Sequence, residues 1–261
     1  MTDEFLSKTE DMRLVRALYC FQLYCNLLGV SRYRSVWDRR WGFDDDSDIF
    51  KLFLCIYESW EIEGIACIYK FAEEELDRIF SDIYHDVHLT NPKVEHYPPT
   101  TTRAFDFDSE WNGECLLGGT LSRGLELLQC VFQIKDHTVL VSTMQERIER
   151  PTLKFQDKSL DDTTHDVRQQ ELQELGEGWR GPSPFQGENE KHPPLSCTIA
   201  WRDFYTSAWL SETNGDIRRW GHIMWDAARL ERTGAKDLLI RKQEERWKGE
   251  EWNILDYTVP V

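Results

Sequence analysis

The clearest pattern along the chain is a helical repeat of apolar positions from Ser59 to about Val87. Apolar side chains recur there every three or four residues, and charged residues, Glu63 among them, mostly occupy the opposite face. The apolar positions are Ile62, Ile65, Ala66, Tyr69, Ala72, Leu76, Ile79, Phe80 and Ile83. This spacing predicts a long amphipathic helix, with Glu63, Glu73, Glu74, Asp77 and Arg78 mostly on its polar side.

A second helical repeat lies near the start of the chain. Ser7 and Glu10 have the spacing of a capping box, in which each residue bonds the backbone N–H of the other. Gly29 supplies a stop signal. The apolar positions between them are Leu14, Leu18, Phe21, Cys25 and Leu28. The pattern predicts a first helix from about Thr9 to Leu28.

Three shorter helices are expected in the middle of the chain, over residues 109–117, 120–134 and 136–149. The pair Gly118-Gly119 separates the first two, and Pro151 stops the third because proline cannot continue a helix.

A polar stretch, residues 151–194, divides the chain in two. It is rich in Gly and Pro and has few apolar positions, which is typical of a mobile connector. Helical spacing returns at Leu195. One helix is expected from Ile217 to Gly234, and a charged one from Ala235 to about Lys248. The sequence therefore predicts an all-α, irregular multi-helix domain. Its two helical blocks, 9–150 and 195–248, pack together and are joined by the polar connector.

Composition supports a packed interior, since 40% of the 261 residues are hydrophobic and 11 are Trp. The formal net charge of −16 makes binding to nucleic acid or an anionic membrane unfavourable. No apolar run is long enough to cross a bilayer, and the acidic start does not resemble a signal peptide. We expect a cytoplasmic or nuclear protein.

Cysteine usage agrees with a reducing compartment. There are seven Cys residues, with no Cys-x-x-Cys pair, and most lie inside apolar runs. Buried free thiols are expected at Cys20, Cys25, Cys55, Cys67 and Cys130.

The most distinctive surface candidate interleaves arginines with aromatic rings just after the first helix. Arg, Tyr and Trp are enriched at the hot spots of protein interfaces, and the same side chains can stack on single-stranded nucleic acid. They also suit an internal clamp, with the arginines paired to the acidic run that follows. The predicted partner-binding residues are Arg32, Tyr33, Trp37, Arg39, Arg40 and Trp41.

The acidic run itself matches a DDxxD spelling, in Asp44, Asp45 and Asp48. In class I terpene synthases such carboxylates hold magnesium diphosphate, because hard cations prefer oxygen ligands. The second metal motif of those enzymes is missing downstream. A simpler interpretation is that the run caps the next helix.

Other catalytic or metal-binding signals are weaker still. His85 and His88 stand three residues apart near a helix end, a spacing that can place two imidazoles on one metal, but no third ligand follows at a readable spacing. Nucleophile elbows and phosphate-binding Gly loops are not found in the sequence. No resident metal or cofactor is expected, and the sequence favours a role other than catalysis.

The predicted C-terminal helices carry a mixed set of charges. Acidic neighbours dilute the basic residues, so a solvated face is expected rather than a nucleic-acid site. These basic residues are Arg218, Arg219, Arg229, Arg232, Arg241, Lys242 and Arg246.

Four stretches together resemble a large group of filamentous-fungal F-box-like proteins, in the region downstream of the F-box. They are residues 16–26 (RALYCFQLYCN), 60–71 (WEIEGIACIYKF), 140–145 (LVSTMQ) and 218–234 (RRWGHIMWDAARLERTG). The resemblance extends over roughly residues 12–248. It implies a substrate-receptor-like role in a ubiquitin ligase, in which the F-box docks a Skp-type adaptor. The leading residues do not contain the Leu-Pro-rich F-box, so no adaptor-binding residue is assigned.

The sequence as a whole predicts a protein-interaction module with a protein partner. The alternative is a magnesium-dependent enzyme acting on isoprenoid diphosphates through Asp44, Asp45 and Asp48.

Overall fold

The computed structural model describes residues 5–28, 53, 56–91, 104–108, 110–148, 185–189, 191–200 and 215–249. Within these ranges the chain is helical, and its one β-type contact is an isolated bridge between His88 and Phe105. The predicted all-α class is confirmed. None of the helices in these ranges combines the length and the apolar character that crossing a bilayer demands.

The first two long helices have the predicted bounds. Helix α1 covers Lys8–Leu28 and helix α2 covers Ser59–Val87. The capping box at the start of α1 is confirmed: the Ser7 N–H donates to Glu10 Oε2 at 2.8 Å, and the Glu10 N–H donates to Ser7 Oγ at 3.2 Å. Local sequence signals are therefore enough to start α1.

The next three helices are α3 (Glu110–Leu121), α4 (Leu125–Gln133) and α5 (His137–Arg147). The expected break at Gly118-Gly119 is wrong, because both glycines are buried inside α3. The chain breaks instead at Gly124, whose φ of 73° is open to glycine at little cost. Packing in the core thus overrides the low helix propensity of a Gly pair.

The C-terminal part consists of short elements. They are α6 (Leu195–Ala200), α7 (Gly215–Arg219), a 3₁₀ helix (His222–Met224), α8 (Ala227–Thr233) and α9 (Ala235–Gly249). The single helix expected from Ile217 to Gly234 is therefore wrong. It is interrupted at Gly221, which adopts a left-handed conformation, and at Asp226, whose side chain caps α8.

The main core forms where α1 crosses α2. Gly64 of α2 faces α1 here, since a Cβ added to it would lie 3.4 Å from Cβ of Ala17, an ordinary van der Waals contact. Side chains from α3, α4 and α5 close one side, and Ile223 and Met224 of the 3₁₀ helix belong to the same cluster. A smaller apolar cluster of Ile217, Leu230, Ala235 and Leu239 joins α7, α8 and α9, and Leu195 and Ile199 of α6 pack against it.

Most of the predicted connector lies outside the described residues. In its described part, Glu188 accepts a hydrogen bond from Arg13 Nη2 at 2.6 Å and another from the Ala227 backbone N–H at 2.7 Å. This glutamate therefore joins α1 to the start of α8.

Candidate functional site

The residues predicted to bind a partner lie outside the described residues: Arg32, Tyr33, Trp37, Arg39, Arg40 and Trp41. The same is true of the acidic run Asp44, Asp45 and Asp48, and of Cys55. Both hypotheses built on these residues stay predictions.

An apolar stripe on the outer face of α1 is the first surface candidate. Met12, Val15 and Tyr19 are spaced so that they follow one another along one face of the helix, and Val15 and Tyr19 are 57% and 71% exposed. The opposite face buries Phe21, Tyr24 and Cys25 in the core. A helix with only one face against a core usually has polar residues on the other face. The core thus does not explain the apolar side chains on the outside of α1.

A pocket of about 90 Å³ opens beside this stripe. It lies between α1, α2 and the 3₁₀ helix, and its volume is several times that needed by one water. Its lining is largely apolar and includes Met12, Ala17, Trp60, Gly64, Ile223 and Met224. The stripe and the pocket share Met12, so they form one continuous surface.

Charged groups border the pocket. Arg16 pairs with Glu61, and its guanidinium lies 5.8 Å from the ring centroid of Trp60. That position allows a cation–π interaction and holds the long arginine side chain across the pocket edge. We name the combination of stripe, pocket and Arg16 the α1 surface.

A second candidate is a cluster of polar side chains buried between α2, α7 and the 3₁₀ helix. Arg218 donates to both oxygens of Glu63, from Nε at 2.9 Å and from Nη2 at 3.0 Å. Both side chains are almost fully buried. The sequence placed Glu63 on a polar face and Arg218 on a solvated one, and both predictions are wrong. Each charge is buried because the other neutralises it.

Cys67, one turn after Glu63, and His222 complete this cluster. The Cys67 Sγ lies 4.0 Å from His222 Nδ1, and the buried His222 Nε2 has no hydrogen-bond partner in the part of the chain that the structure describes. Burial lowers the pKa of His222, so its ring is neutral at neutral pH. Donor atoms of Glu63, Cys67 and His222 all lie within 4.8 Å of one another.

The buried thiols do not have the character of nucleophiles. Burial raises the pKa of Cys20, of Cys67 and of Cys197, and it raises the pKa of Cys25 to about 12. A catalytic cysteine needs the opposite shift. The expected free, buried state is confirmed for Cys20, Cys25 and Cys67, whereas Cys130 is exposed.

The histidine pair near the end of α2 is divided between two environments. His88 approaches Asp108 at 3.1 Å through Nε2 and receives the Thr90 backbone N–H at Nδ1. His85 instead meets the Tyr84 ring edge-on. The structure thus groups His88 with Asp106 and Asp108 and does not bring His85 to them.

We compared the chain with protein-family models, with curated proteins and with solved structures. No match was found in any of the three.

Sequence reasoning missed the buried polar cluster for a definable reason. Glu63 and Cys67 stand four residues apart on a helix, a spacing that places them on one face. His222 and Arg218 come from more than 150 positions further along the chain, and no local pattern marks their contact with α2. The sequence did contain one signal of this cluster. Glu63 lies between the apolar positions Ile62 and Ile65, where a charge without a partner would destabilise the fold.

Proposed function

We propose that this chain is a protein-interaction module that binds a partner through the α1 surface. The observation that carries the proposal is the exposed apolar stripe of α1, with Tyr19 71% exposed, beside an apolar pocket. Exposed apolar area of this kind, bordered by charged groups, is typical of interaction sites.

The geometry favours an amphipathic helix as the occupant. The exposed side chains follow one helix face, and a partner helix can lay its own apolar stripe along them, with one side chain in the pocket. The net charge of −16 attracts a partner whose polar face is basic. The sequence-predicted residues from Arg32 to Trp41 come soon after α1 in the sequence and are a second candidate for contact with the partner.

The resemblance to fungal F-box-like proteins suggests a specific version of this proposal. In that version the partner is a protein captured for a ubiquitin ligase, and the chain acts as the substrate-receptor part.

The test is quantitative affinity capture from a filamentous-fungal lysate with a double variant, Val15→Asp and Tyr19→Asp. We expect the captured proteins to be depleted at least tenfold relative to wild type. The matched control is Val139→Asp, which places the same charge on a similarly exposed valine of α5. Because all three positions are exposed, thermal unfolding should change little.

Equal capture by wild type and the double variant would refute binding through α1. A second arm, Trp37→Ala with Arg39→Ala, tests the sequence-predicted candidate for contact with the partner. Captured partners that carry ubiquitin and accumulate when the proteasome is inhibited would support the ubiquitin-ligase version, whereas partners that show neither property would refute that version alone.

A further inference from the structure

The buried polar cluster of Glu63, Cys67 and His222 contains the donor types of a transition-metal site. A carboxylate oxygen, a thiol sulfur and an imidazole nitrogen converge within 4.8 Å, and all three residues are buried. In a tetrahedral zinc site with bonds of about 2.0–2.3 Å, two donors lie about 3.3–3.8 Å apart. The cluster therefore has to contract by about 1 Å to close around an ion.

The hydrogen bonds of the cluster leave one nitrogen of His222 without a partner among the described residues. Glu63 is bonded by Arg218 through both oxygens, and Cys67 interacts with the backbone of Ile223, whereas His222 Nε2 is buried with no partner. A buried polar atom without a partner costs roughly 1–3 kcal/mol, so such groups call for an explanation. A metal ion removes this deficit only when the imidazole binds it through Nε2.

Arg218 does not prevent Glu63 from binding a metal. Each carboxylate oxygen carries two lone pairs, so one oxygen can accept an N–H and ligate an ion. Carboxylate ligands in metal sites are commonly held by such a hydrogen bond. The cluster thus already contains a group that orients its carboxylate.

Cys197 is the candidate for a fourth ligand. It is fully buried in α6, which packs on the 3₁₀ helix carrying His222, and it belongs to the same core cluster as Cys67. Its sulfur is not part of the group that lies within 4.8 Å, so α6 must shift toward the other three residues when a metal binds. With both thiols ionised, the negative charges of Glu63, Cys67 and Cys197 equal the positive charges of Arg218 and a divalent ion.

We propose that Glu63, Cys67 and His222, with Cys197 as fourth ligand, bind one structural zinc ion between α2 and the C-terminal elements. Zinc suits this mixture of carboxylate, thiolate and imidazole, and structural zinc sites are four-coordinate. Such a site stabilises the fold, because the ligands come together only when the chain folds. This role goes beyond partner binding and does not depend on the α1 surface.

The test is the metal content of the full chain, purified without a polyhistidine tag and without chelator, by plasma mass spectrometry. We expect about one zinc per chain in wild type, and at least a tenfold lower content in Cys67→Ser and in Cys197→Ser. Cys130→Ser is the matched control, because that thiol is exposed and lies outside the cluster. It should keep the wild-type content.

Cobalt binding to wild type gives a second measurement that does not depend on whether the variants fold. After zinc removal, added Co²⁺ should produce a thiolate-to-cobalt charge-transfer band at one equivalent. A wild-type chain that contains no zinc and shows no such band would overturn the proposal. So would an equal loss of metal in Cys130→Ser and Cys67→Ser, which would indicate adventitious binding at thiols. A Cys197→Ser variant that keeps its zinc would overturn the assignment of the fourth ligand.

Discussion

At the scale of single residues, burial decides what an ion pair contributes. Arg218 and Arg219 are neighbours in sequence, and each binds a glutamate of α2, Glu63 and Glu74 respectively. The Arg218 side chain is 8% exposed and that of Arg219 is 55% exposed. Water screens the outer pair, while the inner pair cannot lose one member without leaving a charge in the core.

We therefore predict very different effects for the same substitution at these two positions. Arg218→Met should lower the free energy of unfolding by about 3–5 kcal/mol, because it leaves the Glu63 carboxylate buried without its partner. Arg219→Met, the control, should cost less than about 1 kcal/mol. Urea unfolding followed by circular dichroism measures both values. Similar decreases in the free energy of unfolding for the two variants would show that burial does not determine how much each ion pair contributes.

At the scale of elements, a helix could be predicted from sequence where its own residues contain the signals that define it. Helices α1 and α2 could be predicted because the apolar repeat and the capping residues lie within the segment. The short C-terminal elements could not, since the stops at Gly221 and Asp226 depend on backbone conformation and tertiary contacts. Glycine alone did not predict a break, because the chain continues as a helix through Gly118.

The start of α4 shows how one element can cap another. Gly124, just before α4, has φ 73° and ψ −156°, a conformation almost restricted to glycine. It has no side chain to bond the first N–H groups of α4, and Gln22 of α1 supplies that acceptor: its Oε1 receives the Leu125 N–H at 2.7 Å. The cap therefore comes from a residue more than 100 positions earlier in the chain.

From this contact we predict that Gly124→Ala lowers the free energy of unfolding by about 3 kcal/mol. The new Cβ would lie 2.6 Å from Gln22 Oε1, so the cap is lost as well as the glycine conformation. Gly234→Ala is the control, with φ 72° and nothing within 4 Å of its Cβ, and should cost about 1 kcal/mol. Thermal unfolding compares the two variants. Equal shifts would mean that the contact with Gln22 contributes nothing.

At the scale of the whole molecule, α1 and the elements from the 3₁₀ helix to α8 depend on each other. The main core includes Ile223 and Met224 together with residues of α1 and α2, so neither part completes that core alone. Glu10 in the first turn of α1 accepts from Arg229 Nε at 2.6 Å and Nη2 at 2.8 Å, and from the Asp226 N–H at 3.2 Å. These bonds span more than 210 positions, and no sequence pattern predicts such pairing.

The Glu10 contact leads to a prediction about pH. Burial alone would raise the pKa of Glu10, but hydrogen bonds from Arg229 and from the backbone of Ser7 and Asp226 outweigh it and lower the pKa below its ordinary value of 4.5. A group with a lowered pKa in the folded state contributes stability above the unfolded pKa, and this contribution is lost as the pH falls through the folded pKa. Glu10→Gln should therefore cost about 2–3 kcal/mol at pH 7, and the difference from wild type should shrink below about pH 4.5.

Urea unfolding of wild type and Glu10→Gln between pH 7 and pH 3 measures this dependence. Glu244→Gln is the control, since Glu244 is exposed on α9 and should change stability by less than about 0.5 kcal/mol at every pH. Hydrogen exchange should also show faster opening of α8 in Glu10→Gln, because Arg229 and the start of α8 are bound to α1 through this carboxylate. A difference from wild type that stays constant down to pH 3 would contradict the lowered pKa. Unchanged hydrogen exchange in α8 would show that the Glu10 carboxylate does not hold α8 against α1.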